Sequence, residues 1–239
     1  MICVRVKRNN IMRQIVLDTE TTGLLTSQGH RIIEIAAVEM VNRKLTGKFF
    51  HYYINPEREI EKGAENVHGL TLDFLKDKPK FDQIAQEFLE YIQDSELIIH
   101  NAKFDTEFIE YEFKLLANKS FKLSRYCKII DTLQIARNLH PGQKNSLDAL
   151  CKRYSIDNSK RNLHGALLDS NLLSYVYLAM TGGQKTLFGE DNQQHHQNFT
   201  NDFQAVVRKP IDGLVVLLAD EDEIRLHESR LKEIQNIEK

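Results

Sequence analysis

The strongest constraint on the fold is a short apolar run, Ile15-Val16-Leu17, that stops abruptly at Asp18-Thr19-Glu20 before the turn residues Thr22-Gly23. So brief a run with a polar break at its end reads as a buried strand, which other elements must cover on both faces. Glu96 to His100 (ELIIH) reads the same way, and amphipathic helical segments lie between such runs. The pattern predicts strands near 13–18, 31–40 and 46–54, a helix near 81–93, a strand at 96–100, a helix at 102–117, a short strand near 127–130, and further helices to 180. That order describes an α/β protein with a mixed sheet flanked by helices.

Three segments carry candidate chemistry. Side chains at i and i+2 of a strand share a face, so Asp18 and Glu20 present two carboxylates to one point at the strand's end. Oxygen ligands suit a hard divalent cation such as magnesium or manganese and leave coordination positions for water and phosphate. In the second segment Asn101 stands where a helix N-cap would, and Asp105 falls in the first turn of the helix that follows, where the helix dipole favours an ionised carboxylate. In the third, a helical period from Gly165 onward places Asp169 on a helix and His164 just before it. Five residues apart on one helix would point them roughly 140° apart, so His164 must reach the same site from the loop, a path that Gly165 permits. An imidazole there can serve as a general base near neutral pH. Taken singly, each of these residues is better explained as a turn acid, a helix-start acid or a surface histidine.

Jointly, the order DxE, then D, then HxxxxD resembles the DEDDh family of 3′→5′ exonucleases over roughly residues 13 to 180. The strings RQIVLDTETTGL, KFDTEFIEYEF, NSLDALCKRYSIDNSKR and LHGALLDSNLL resemble in particular the proofreading exonucleases of bacterial replicative DNA polymerases. The resemblance implies a ribonuclease H-like fold with its carboxylates gathered at one edge of the sheet. It implies that Asp18, Glu20, Asp105 and Asp169 hold two Mg²⁺ or Mn²⁺ ions and that His164 activates water. It further implies a single-stranded or frayed 3′ DNA end as substrate, contacted by Asp18, Glu20, Thr21, His68 and Asp169, with mispaired nucleotides leaving as nucleoside 5′-monophosphates. His68 reads equally well as a loop histidine that stabilises the turn at Gly69.

The 239 residues, 41% hydrophobic, suffice for one full domain core with an extension. Cys3, Cys127 and Cys151 are odd in number, far apart and without zinc spacing, which suggests reduced thiols in a cytoplasmic protein. The longest wholly apolar stretch, Leu214 to Ala219, falls far short of the ~20 residues that a membrane span needs. A net charge of −2 is low for an enzyme that grips duplex DNA, and fits one that holds only a strand end and relies on partners for the rest. The densest basic region, Lys144, Lys152, Arg153, Lys160 and Arg161, reads for the most part as solvated helix ends.

Residues 1–11 read as a leader, with Met12 as a candidate initiator, and the exonuclease domain spans 12–180. From 181 to 210 the aliphatic content falls and Gln and Asn dominate, the composition of a flexible linker. Within it Gln184 to Phe188 (QKTLF) resembles the peptides that bacterial replication proteins insert into the sliding clamp. His195 and His196 carry little weight as metal ligands. Residues 211–239 recover an amphipathic pattern too small to fold alone, and resemble a tail that docks on the polymerase's catalytic (alpha) subunit. The order of the five site residues, the linker and the tail favour a proofreading exonuclease over an RNA-trimming DEDDh nuclease or a catalytically silent adaptor.

Overall fold

The computed structural model of the protein describes residues 12–182, apart from 117–119, 160 and 162. The leader, the clamp-like peptide, His195 and His196, the docking tail and all but the first two residues of the linker lie outside the described residues.

Five strands form one sheet: β1 Arg13–Thr21, β2 Ile32–Val41, β3 Lys44–Tyr53, β4 Glu96–Ile99 and β5 Lys128–Asp131. Their spatial order is β3-β2-β1-β4-β5, with the first three antiparallel and β4 and β5 parallel to β1. This is the mixed α/β sheet that the apolar runs predict, with β1 at its centre. Two short helices before the sheet's second half, α1 Lys62–His68 and α2 Leu72–Leu75, escape a periodicity reading because neither spans two full turns. The remaining helices are α3 Phe81–Ile92, α4 Ala102–Leu115, α5 Thr132–Leu139, α6 Leu147–Arg153 and α7 Ala166–Thr181. No helix among the described residues is long and apolar enough to cross a membrane.

Alternation along β1 divides the core. Ile15 and Leu17 point into the cluster formed with Phe88 and Ile92 of α3 and Phe108, Ile109 and Phe113 of α4. Val16 points the other way, onto Leu173 and Tyr177 of α7 with Met40 and Ile98. Each such aliphatic side chain contributes roughly 1.5–3 kcal/mol when fully buried, so both faces of β1 are firmly held. Helices on both faces explain why β1 is a continuous apolar run rather than an alternating one. Cys127 and Cys151 are buried free thiols, and burial pushes both up to about 11.

Candidate metal centre and active site

β1 continues past Asp18 to Thr21, three residues beyond the end that the apolar run suggests, because it pairs with β2 along its whole length. Asp18 and Glu20 therefore sit at the C-terminal end of the sheet's central strand. Alternation puts Asp18 and Glu20 on the α7 side, like Val16, and Thr19 on the α4 side. Pairing with β2 then jumps from Glu20–Glu34 to Thr21–Ile32, leaving Ile33 as an extra residue. Such a bulge re-aims the side chains beside it.

The turn after Glu20 is pinned from several directions. Thr22 N–H donates to Arg31 O (2.9 Å), Thr22 O accepts from Glu61 N–H (2.9 Å), and Thr22 Oγ1 lies 3.0 Å from His30 Nδ1. Gly23 is obligatory there, since a Cβ would come within 2.3 Å of the buried His30 ring. The Thr21 hydroxyl donates to Gly23 O at 2.7 Å, so the hydroxyl proposed for the substrate also closes the turn.

Asp105 and Asp169 come from opposite layers. Asp105, in the first turn of α4, accepts from the Thr19 hydroxyl at 2.7 Å. Asn101 does not cap that helix with its side chain; it adopts a left-handed conformation (φ 65°), and its N–H donates to Asp131 Oδ1 at 3.3 Å. Asn tolerates that backbone region better than most residues, and it lets β4 turn sharply into α4. His100 Nδ1 lies 2.9 Å from Thr132 Oγ1. Asp169, in the first turn of α7, is buried on the other face of β1.

The loop before α7 brings His164 in. Its N–H donates to Val67 O of α1 at 3.1 Å. Leu163 packs over Gly69, which has a φ of +73° and where a Cβ would come within 2.6 Å of Leu163 Cδ1. The small helix α1, invisible in the periodicity, therefore sets where the imidazole stands. Glu20, His164 and Asp169 each offer a ligand atom within 4.8 Å of the others. Asp105 joins them electrostatically, raising the proton affinity of Asp18 and Glu20, and Asp18 is raised in turn by Asp105, Glu20 and Asp169.

His68 is buried, its Nδ1 accepts from Leu70 N–H at 3.0 Å, and its Nε2 has no hydrogen-bond partner. Burial holds its imidazole below the ordinary range, with Glu34 and the Thr21 backbone acting in the opposite direction. The turn-stabilising reading of His68 therefore describes its Nδ1, which holds the chain at Gly69-Leu70.

Burial, followed by the Asp105, Glu20 and Asp169 charges, holds Asp18 well above its ordinary value. Burial and then Glu34 push Glu20 up to about 8, and burial pushes Asp105 up to about 7 against the Thr19 hydrogen bond. Carboxylates crowded until they retain protons at neutral pH are short of positive charge, and a donor set dominated by carboxylate oxygens fits hard divalent ions.

The exonuclease family model matches residues 15–177. The chain is 51% identical over 230 residues to DNA polymerase III subunit epsilon of Escherichia coli strain K12, an alignment that covers 94% of each chain. It is 52% identical over 229 residues to DNA polymerase III subunit epsilon of Buchnera aphidicola subsp. Schizaphis graminum, covering 94% of this chain and 97% of that one. The chain belongs to the exonuclease family, in its DNA polymerase III epsilon group. Among solved structures, Exonuclease X in complex with 5′ overhanging duplex DNA aligns with a TM-score of 0.52 at 26% identity, over 72% of this chain and 94% of that one. The nuclease domain of 3′hExo, a DEDDh family member, bound to rAMP, aligns with a TM-score of 0.61 at 18% identity, a likeness of fold.

This epsilon-type chain is accordingly a DEDDh 3′→5′ DNA exonuclease of the proofreading class, and enzymes of this type depend on divalent metal. Two charged residues of its site are not apparent from the motifs. Glu34, buried opposite Glu20, pairs with His51 Nε2 at 2.8 Å; its signal is an acid inside the otherwise apolar run IIEIAAV. Arg161 is no solvated helix end: its side chain is only 6% exposed and forks onto Asp169. Sequence spacing cannot show that, because Arg161 lies in irregular chain with no period to fix its direction.

Between about pH 4 and about pH 8 the folded metal-free protein holds protons on Glu20 and Asp105 that the unfolded chain has released, so its stability falls as pH rises through that window. Metal binding needs the deprotonated carboxylates, so stabilisation by saturating Mg²⁺ grows with pH. Thermal melts should show a Mg²⁺-induced rise of about 5–10 °C at about pH 8 and a much smaller one at about pH 5.5. A rise that is equal at both pH values would detach the carboxylates from the metal.

Proposed function

We propose that Asp18, Glu20, Asp105 and Asp169 hold two Mg²⁺ or Mn²⁺ ions, that His164 removes the proton from the attacking water, and that the chain excises mispaired 3′-terminal nucleotides as nucleoside 5′-monophosphates. The observation that carries this reading is the convergence of acids from a strand end and two helix starts around a half-exposed imidazole. When bound, divalent ions held by these four carboxylates would supply positive charge to stabilise the attacking and the leaving oxygen of a phosphodiester. The chain's own part is positioning. Thr19 orients the Asp105 carboxylate, the pinned Thr22-Gly23 turn holds Glu20, and the α1 end holds the His164 backbone. Thr21 and His68, buried beside that turn, border the place for the terminal nucleotide, where the His68 Nε2–H is a donor without a partner.

In this reading the domain runs from 12 to 180, and the linker at 181–210 offers Gln184–Phe188 to the sliding clamp. Residues 211–239 dock on the polymerase's catalytic (alpha) subunit, so the linker sets the nuclease's effective concentration at the primer end. Digestion of 5′-labelled paired, mispaired and RNA 3′ ends with Mg²⁺ tests the substrate assignment. Mispaired or single-stranded DNA ends should be shortened fastest, and a clear preference for RNA would remove the proofreading role. Deleting 211–239 should end co-purification with the alpha subunit and spare activity on free oligonucleotides; retained co-purification would remove the docking role.

A further inference from the structure

The Arg161 guanidinium occupies the acid cluster as the chain's own cation. Its Nε donates to Asp169 Oδ1 at 2.5 Å and its Nη2 to Asp169 Oδ2 at 2.6 Å, a two-pronged bond to one carboxylate. Nη1 donates to Asp148 Oδ1 at 2.6 Å, on a half-exposed side chain of α6 that also accepts from Asn158. Nη2 further lies 3.0 Å from His164 Nδ1. A guanidinium can only donate, so that ring nitrogen accepts, and the proton of the neutral imidazole sits on Nε2. Arg161 is also the group whose charge opposes the crowding of acids at both Asp18 and Glu20.

Two consequences are incompatible with a working nuclease. Both Asp169 oxygens are engaged by the guanidinium, leaving none free to bind a metal ion without competition. The imidazole cannot take a proton at Nε2, which already carries one, and its other nitrogen is covered. We propose that Arg161 is a positioning residue that latches Asp169 and His164 in a resting state, and that metal loading displaces it from Asp169 while Asp148 keeps hold of it. The proposal rests on Asp169 being a metal ligand, as set out above. It makes Asp148, which reaches none of the reacting groups, the receiver of the displaced guanidinium.

The latch and a merely structural arginine differ in the sign of their effect on metal affinity. With the full-length protein, Mn²⁺ binding is measured by calorimetry and by thermal shift for wild type, Arg161→Gln, Arg161→Lys and Asp148→Asn. Arg161→Gln should melt lower without metal, yet bind Mn²⁺ about tenfold more tightly, since the ion no longer competes with the fork. Arg161→Lys keeps the charge without the fork and should fall between the two, which preserves the test if the glutamine variant folds poorly. Asp148→Asn should weaken Mn²⁺ binding, and in a double variant with Arg161→Gln that weakening should vanish, as it does when one residue acts only through another. Nitrogen NMR on His164 at alkaline pH supplies a readout apart from activity. Its Nδ1 should be unprotonated in the metal-free wild type and should shift on adding Mg²⁺, a shift reduced in Arg161→Gln. Mn²⁺ affinity unchanged or weakened in Arg161→Gln, with the melting temperature lowered equally with and without metal, would overturn the latch and make Arg161 a support. Failure of the wild type to bind Mn²⁺ at all would instead overturn the metal-site reading on which it stands.

Discussion

Replacing Asp18 and Glu20 together by alanine is expected to lower 3′→5′ exonuclease activity by at least about a thousandfold, because residues that act as one unit lose most of their joint effect when any part is removed. Asp18 and Glu20 lie on one face of β1 at its C-terminal end, and both are raised by burial and by neighbouring acids. Their loss removes half of the four carboxylates proposed to hold the ions. It also relieves the crowding that raises those groups, so the metal-free variant should melt no lower than wild type while the Mg²⁺-induced rise disappears. That pairing of results separates lost metal from lost fold. Substantial cleavage of a 5′-labelled oligonucleotide by the double variant would remove the two-ion assignment.

His164→Ala should lower turnover by about 10²–10⁴-fold, the range for a positioned general base, with Mn²⁺ binding retained to within a few-fold. The geometry leaves a clear alternative, because His164 offers a nitrogen within the same 4.8 Å cluster as Glu20 and Asp169 and could ligate a metal itself. The two roles part on one measurement. A base can be removed without loss of the Mn²⁺-induced thermal shift, whereas a ligand cannot. Loss of both activity and shift would therefore move His164 from proton transfer to coordination.

Gly23 and Gly69 show how much of this site depends on distant packing. One allows the turn after Glu20 to pass against the His30 ring, and the other lets Leu163 close over the end of α1. A sequence reader sees two glycines beside turns and has no means of knowing which side chain each must clear. Arg161 is a sharper case. In the string DNSKRNLHG it resembles any basic residue after a helix, and only the return of that loop across α6 and α7 turns it inward onto Asp169. Asn101 erred in the opposite direction: its type and position suit an N-cap, but the sharp exit from β4 uses its tolerance of positive φ instead.

The local code determined the strands and long helices, since burial on both faces of β1 demands an unbroken apolar run and α3 and α4 each carry an amphipathic period. It also determined the order of acids and imidazole, and with it the family, because these residues stand at strand ends and helix starts that short-range rules can place. Only the tertiary structure decided how close they come. The bulge between Glu20 and Thr21, the docking of the His164 loop on α1, the burial of Glu34 and the inward Arg161 arise from contacts between segments far apart in sequence. Charges tens of residues apart acquire their proton affinities only once burial has removed the water between them, and no spacing along the chain encodes that removal.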